Sequence, residues 1–160
     1  MQLGQYWIAF RRLAFYKKKV DDSKQQPVSV VICAKNEILN LRKNLASVLE
    51  QNYPNYEVIV VNDCSWDETG EFLDEMSKKY SHLKVVTLVE QEKYRHGKKF
   101  ALTLGIKAAK NELLLMTDAD CTVESKDWCS LMQSHFNSKT EIVLGYGAYL
   151  RKPGFLNKLI

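Results

Sequence analysis

The chain contains few turn-forming residues and none of the cysteine spacings that mark small metal-binding or disulfide-rich domains. Its 160 residues include only 7 Gly and 3 Pro, while 46% of residues are hydrophobic and 26% are charged. This composition excludes disordered and collagen-like chains and is typical of an ordered α/β protein. The cysteines form no C-x-x-C pair and have no histidine at ligand spacing; they are Cys33, Cys64, Cys121 and Cys129. Neither a zinc site nor a disulfide framework is indicated, and we expect reduced thiols in a cytoplasmic setting.

Long hydrophobic runs are also lacking, and so is a strong excess of one charge. The net charge is +4, with Lys and Arg interspersed with acids, which argues against nucleic acid as a partner. The exception is the basic, aromatic segment 1–26, whose first twenty residues contain no acid. Its apolar runs fall short of the roughly 20 residues that cross a bilayer. The segment predicts peripheral association with the inner face of the cell membrane or the cytoplasmic flank of a membrane anchor. The alternatives are a helix packed on its own domain and a frayed terminus.

Two common phosphate-binding motifs are absent. No G-x-G-x-x-G follows the first predicted strand, and no G-x-x-x-x-G-K-[ST] occurs anywhere in the chain. The dinucleotide-binding and P-loop interpretations therefore lose their main support. A phosphotransferase with an aspartyl nucleophile would need an acid directly after the first strand, where this chain has Ala34 and Lys35.

Short β-branched runs alternate with segments of helical spacing from residue 27 to residue 150. This alternation predicts one α/β domain, a three-layer sandwich with a mostly parallel central sheet. Ser65-Trp66-Asp67-Glu68 has the spacing of a capping box that opens the second helix. Strands are expected at 28–33, 57–62, 83–89 and 112–117, and a fifth at Ile142–Leu144.

Polar residues follow each of the first four predicted strands. In parallel sheets ligands bind beyond the carboxyl ends of the strands, so these four segments are expected to converge on one site. Asp118 and Asp120 follow the fourth strand. Two carboxylates so close together repel each other, and a divalent cation would offset that repulsion. The pattern predicts metal-assisted chemistry on a phosphate-bearing donor.

Three blocks in order carry a family resemblance. They are Pro27-Val-Ser-Val-Val-Ile-Cys-Ala-Lys-Asn-Glu37, Glu57-Val-Ile-Val-Val-Asn-Asp-Cys-Ser65 and Leu115-Met-Thr-Asp-Ala-Asp120. Together they resemble the family 2 glycosyltransferases of the GT-A fold. The resemblance implies an inverting glycosyltransferase that takes a sugar from a nucleotide-sugar, UDP-linked by expectation, and transfers it to a glycan or lipid-linked acceptor with Mg²⁺ or Mn²⁺.

The resemblance also implies roles for individual residues. Glu37 matches an acid near the uracil and ribose, Asp63 matches the aspartate that hydrogen-bonds the uracil ring, and Lys98 matches a diphosphate or base contact. Asp120 and Asp118 match the D-x-D metal motif. The implied nucleotide-binding residues are Ala34, Asn36, Glu37, Asp63, Gly97, Lys98 and Asp118, and the implied metal ligands are Asp120 and Asp118.

An inverting enzyme needs a general base for the acceptor hydroxyl. The acids after Asp120 are Glu124, Asp127 and Glu141, and none lies in a recognisable base motif. We therefore expect the base beyond Ile160, with 151–160 as the start of an incomplete acceptor region. Two alternatives remain open from the sequence: a nucleotidyltransferase-like enzyme, and a non-catalytic nucleotide-binding fragment.

Overall fold

The structure is a computed structural model that describes Arg11 and residues 25–89 and 97–148. Most of the segment 1–26 and all of 151–160 lie outside the described residues, as do Arg95 and His96. The predicted membrane-proximal and acceptor segments therefore stay predictions. Within the described part of the chain, no helix is both long and apolar enough to cross a membrane.

Four parallel strands form the sheet, and helices connect them. The elements are β1 (Val28–Ala34), α1 (Ile38–Leu49), β2 (Tyr56–Asp63), α2 (Thr69–Lys79), β3 (Leu83–Leu88), α3 (Lys98–Ala108), β4 (Leu113–Asp118) and α4 (Trp128–Gln133). The strand order is β3-β2-β1-β4, and every pairing is parallel. The predicted α/β class and parallel sheet are confirmed.

Alternation along β1 divides the core into two layers. Val28, Val30 and Ile32 face one side, where they join α1, α2 and α4 in the larger hydrophobic cluster. Val31 faces the other side and packs with Ala101 of α3. Because successive side chains of a strand point to opposite faces, a strand covered by helices on both faces is apolar throughout. This explains why β1 is apolar at every position except Ser29, whose buried hydroxyl donates to Glu57.

Helix α3 lies very close to the sheet at Gly105. A Cβ atom built there would be 2.5 Å from Cγ1 of Val31 and 3.0 Å from Cγ2 of Val61. No side chain fits at that distance, so glycine is required for the close approach. The contact fixes the position of α3, and with it the position of the N-terminal end of α3 beside the strand ends.

Two predicted local features are wrong. Ile142–Leu144 is not a strand: Ile142 and Leu144 are 78% and 90% exposed, and the segment pairs with no strand of the described chain. An apolar triplet becomes a strand only where a sheet edge accepts its hydrogen bonds. The capping box at Ser65 does not form either, because α2 begins at Thr69, four residues later.

Candidate functional site

The carboxyl ends of β1, β2 and β4 and the first turn of α3 enclose a cleft of about 280 Å³. The position agrees with the expectation for ligands of parallel sheets. Among the described residues, the lining consists of Cys33, Ala34, Lys35, Glu37, Asp63, Gly97, Lys98, Ala101, Asp118, Ala119 and Asp120. All but one of the nucleotide and metal residues implied by the resemblance are thus brought together; Asn36 is the exception.

Asp63 is a buried carboxylate at the end of the central strand β2. Its side chain lines the cleft, and the residue is only 4% exposed. Its Oδ1 atom is buried and has no hydrogen-bond partner among the residues that the structure describes. An unpaired buried polar group costs about 1–3 kcal/mol. Asp63 is therefore a candidate to accept a hydrogen bond from a group that binds in the cleft.

The turn after β1 is held by the loop after β2. Asn36 adopts a left-handed conformation with φ of 55°, which asparagine tolerates better than most residues. Its backbone amide donates to Oγ of Ser65 at 2.9 Å, and its side-chain Oδ1 accepts from the backbone amide of Trp66 at 2.9 Å. The Asn36 side chain therefore binds the neighbouring loop, and this arrangement places Glu37 in the cleft.

Asp67 supports the cleft without lining it, a role that the capping-box pattern did not predict. Its Oδ2 accepts from the Ile38 amide at 3.3 Å and its Oδ1 from the Thr69 amide at 3.1 Å, so it links the first turns of α1 and α2. Thr69 Oγ1 in turn accepts from the Glu37 amide at 3.2 Å. Partial burial acts to raise the pKa of Asp67, but the hydrogen bonds from Thr69 and Ile38 together hold that pKa below its ordinary value.

The acidic pair sits on a tight turn. The Cys121 amide donates to the Asp118 carbonyl at 3.1 Å, and Ala119 between the two acids is buried. Asn44 of α1, 4% exposed, donates to the Ala119 carbonyl at 3.0 Å. Its Oδ1 accepts from the Thr122 hydroxyl at 2.8 Å. Asn44 therefore holds the turn that presents both carboxylates.

Asn44 could have been found from the sequence. It lies among Leu41, Leu45 and Val48 on the apolar face of α1, at helical spacing. A buried amide in such a position must find hydrogen-bond partners. The sequence shows that a partner is needed, but only the fold shows that the partner is the turn of the acidic pair.

Lys98 already contacts one of the two acids. Its Nζ atom lies 2.8 Å from Oδ1 of Asp118, and the two side chains are 69% and 53% exposed. The hydrogen bond with the Asp118 carboxylate raises the pKa of Lys98, so the lysine is charged. Lys98 is the first residue of α3, where the helix dipole disfavours a cation; the carboxylate offsets that cost.

Cys33 lines the cleft but is not placed as a nucleophile. Burial raises the pKa of its thiol; the Lys98 ammonium opposes the shift, whereas Asp118 and Asp63 add to it. The thiol is therefore neutral near pH 7, and only the thiolate is a strong nucleophile. All four cysteines are free.

The donor set at the acidic pair suits a hard divalent cation. Within residues 25–89 and 97–148, no group of three or more His, Cys, Asp or Glu is arranged to hold a metal. Mg²⁺ sites often use only one or two carboxylates, with substrate phosphates and water completing the coordination. Asp118 and Asp120 fit a site of that kind, in which the ligand supplies part of the coordination shell.

Fold and cleft define an α/β protein that gathers acidic and basic side chains at the carboxyl edge of a parallel sheet. The sequence model described as Glycosyl transferase family 2 matches residues 29–157. The chain belongs to this family, and the resemblance carried by the three sequence blocks is confirmed.

Three similar proteins illustrate the relationship. Poly-beta-1,6-N-acetyl-D-glucosamine synthase of Staphylococcus epidermidis is 33% identical over 96% of this chain and 39% of its own length. The mannosyltransferase PcManGT from Pyrobaculum calidifontis, in complex with GDP-Man and Mn²⁺, has a TM-score of 0.68 and 28% identity over 82% of this chain and 39% of its own. S. aureus TarS, in complex with UDP-GlcNAc, has a TM-score of 0.53 and 29% identity over 63% of this chain and 28% of its own. The chain spans 25% to 39% of the first curated relatives it matches.

Proposed function

We propose that this chain is the donor-binding part of an inverting glycosyltransferase that binds a UDP-sugar together with Mg²⁺ or Mn²⁺. The observation that carries the proposal is the buried Asp63 Oδ1 atom, which has no hydrogen-bond partner among the described residues and belongs to a residue that lines the same cleft as the acidic pair. A nucleotide-sugar offers a base that donates hydrogen bonds at one end and a diphosphate that takes a cation at the other. The cleft has matching groups for both.

Uracil is assigned to the Asp63 end because the family resemblance implies it. Its ring carries one imide N–H, and Asp63 Oδ1 is the one buried side-chain acceptor without a partner in the described chain. Guanine presents two adjacent donors, which the two oxygens of one carboxylate can also accept, so a comparison of UDP with GDP tests the choice of base. Glu37, Ala34 and the turn held by Asn36 border the same end of the cleft, where they would contact the base and ribose.

The diphosphate would lie at the other end. Asp118 and Asp120 would hold the metal, with Asp120 as the more direct ligand, and the metal would stabilise the departing diphosphate. Gly97 and Lys98 open α3 beside it, and a helix N-terminus favours phosphate through its free amides and dipole. These residues bind and orient the leaving group for displacement at the anomeric carbon. No described residue is assigned as general base, because Glu124, Asp127 and Glu141 do not line the cleft.

The acceptor in this proposal is a glycan or a lipid-linked sugar. A synthase of a polysaccharide aligns with almost the whole chain, and the basic, aromatic segment 1–26 suits a position at the inner face of a membrane.

Thermal unfolding with UDP and Mn²⁺ tests the proposal. UDP at about a hundredfold excess over its Kd should stabilise the protein by about 2.7 kcal/mol, a rise in Tm of roughly 5–10 °C. The rise should vanish in a chelator and in Asp120→Ala. The matched control is Glu124→Ala, which removes an exposed acid outside the cleft and should keep the full rise. An equal rise in chelator would remove the metal from the proposal, and a larger rise with GDP would overturn the choice of uracil.

A further inference from the structure

The ammonium group of Lys98 forms an ion pair with Asp118, one of the two carboxylates that we assign as metal ligands. Its Nζ atom lies 2.8 Å from Asp118 Oδ1, the separation of a charge-assisted hydrogen bond. A divalent cation that binds the same oxygen would meet a like charge within a few ångströms. The two cations therefore exclude each other at Asp118 unless the lysine moves.

We propose that Lys98 competes with the divalent cation for Asp118 while no donor is bound. When the donor binds, its diphosphate forms the ion pair with Lys98, and Asp118 is then free to bind the metal. This inference rests on the proposed function, because it needs a diphosphate at the same end of the cleft. It predicts that the metal binds weakly in the absence of donor, and that each of the two ligands raises the affinity for the other.

Exposure makes the exchange of partners easy. Both side chains of the ion pair are more than half exposed, at 69% and 53%. Exposed ion pairs contribute little to stability, and the flexible lysine stem lets the ammonium swing to a new partner. A buried pair would resist this exchange, because separating it would leave an uncompensated buried charge.

The charge at the start of α3 explains why a diphosphate would attract the lysine. Lys98 and Lys99 stand in the first turn of α3, which contains no acid. Two cations at a helix N-terminus are unfavourable, and in the absence of a ligand Asp118 compensates one of them. A diphosphate at this terminus would compensate both, so Lys98 can leave Asp118 to the metal without a loss of charge balance.

The test compares Lys98→Met with Lys99→Met in the full chain, using Mn²⁺ as the probe and counting free Mn²⁺ by electron paramagnetic resonance. Both variants lose one positive charge from the same turn, but Lys99 is not among the described residues lining the cleft. Without nucleotide, Lys98→Met should bind Mn²⁺ about two- to fivefold more tightly than wild type, the worth of an exposed ion pair. Lys99→Met should bind Mn²⁺ within about 1.5-fold of wild type, since that charge makes no direct contact with Asp118. Lys98→Arg retains the competing charge and should match wild type.

The same variants are then titrated with UDP at saturating Mn²⁺. Lys98→Met should bind UDP more weakly than wild type, so the substitution has opposite effects on the two ligands. A merely structural role would weaken both. Equal or weaker Mn²⁺ binding by Lys98→Met, with normal UDP binding by wild type, overturns the competition and leaves the proposed function intact. Failure of wild type to bind UDP with Mn²⁺ overturns both.

Discussion

Strand β2 carries a buried carboxylate at each end, and the two carboxylates differ in their hydrogen-bond partners. Glu57, near the start of the strand, is 6% exposed and accepts from the Ser29 hydroxyl at 2.6 Å and the Lys110 amide at 2.8 Å. Asp63, at the other end, is 4% exposed and has a buried oxygen without a partner in the described chain. Both carboxyl groups are buried, but within the described chain only Glu57 has hydrogen-bond partners for its buried oxygen.

The difference separates a structural group from a binding group. Glu57 joins β1 and the loop after α3 to the amino end of the sheet, so its hydrogen bonds hold the fold together. Asp63 lies at the carboxyl end, where the cleft opens, and no described residue supplies a partner for its Oδ1 atom. A group that the fold leaves unsatisfied lowers the stability of the free protein and is retained where a ligand satisfies it.

Replacing Asp63 by Asn tests the binding end and should have the largest effect. The substitution keeps the shape but exchanges a charged acceptor for a neutral amide. The affinity for UDP should fall by about ten- to a hundredfold, since hydrogen bonds to charged groups contribute about 1.5–3 kcal/mol. The free protein should become more stable by roughly 1 kcal/mol, because the unpaired buried charge is gone. Calorimetric titration and urea unfolding measure the two effects.

Glu57→Gln is the matched control at the other end of the strand. It should lower the free energy of unfolding by about 1 kcal/mol, because neutral hydrogen bonds are weaker than charge-assisted ones. Its affinity for UDP should equal that of wild type. A loss of UDP affinity in Glu57→Gln, or a loss of stability in Asp63→Asn, would contradict the distinction between the two ends.

Asp67 and Asn44 support different parts of the cleft, so substituting them should affect base binding and metal binding separately. Asp67→Ala frees the amides of Ile38 and Thr69 and should weaken binding of uridine, which lacks phosphate, by roughly tenfold, since each lost charged hydrogen bond is worth about 1.5 kcal/mol or more. Asn44→Ala frees the Ala119 carbonyl and should leave uridine binding unchanged. For the affinity for Mn²⁺ measured with UDP bound we expect the reverse, with a larger loss in Asn44→Ala than in Asp67→Ala. Equal losses of affinity in all four titrations would show that Asp67 and Asn44 act only on overall stability.

Thiol reactivity gives the smallest and simplest contrast. Burial raises the pKa of Cys33, so its alkylation at pH 7 should be slow and should accelerate at a higher pH than in the unfolded chain. Cys129 lies in the core, where burial raises its pKa to about 12, and should react only on unfolding. In the ligand-free protein, the exposed Cys121 serves as the internal reference in mass spectrometry with iodoacetamide. Bound UDP should slow the labelling of Cys33, and an unchanged rate would contradict its place in the donor cleft.

Most of the fold could be predicted because its signals are local. Four apolar runs separated by helical segments are sufficient for a parallel sheet, since right-handed crossovers leave few other arrangements. The failure at Ile142–Leu144 has the opposite cause. Whether an apolar triplet becomes a strand depends on a free sheet edge, which is a property of distant parts of the chain.

The sequence predicted which residues line the cleft but not which residues hold them in place. Asp63, Asp118 and Lys98 were expected in one place because strand ends converge there. Asp67 and Asn44 were missed, since their hydrogen bonds cross to segments about 29 and 75 residues away. Polar residues that hold other polar residues have no motif of their own.

The sequence by itself determined the family, the parallel α/β fold and the set of polar residues at the sheet edge, because strand ends, spacings and motifs are written along the chain. Only the tertiary structure decided that Asp63 Oδ1 has no partner among the described residues while Glu57 accepts two hydrogen bonds, and that Lys98 pairs with Asp118. Burial and hydrogen bonding are relations between distant residues, and they depend on how helices and strands are placed against one another. In this protein those relations separate the carboxylate that holds the fold from the carboxylates that are open to a ligand.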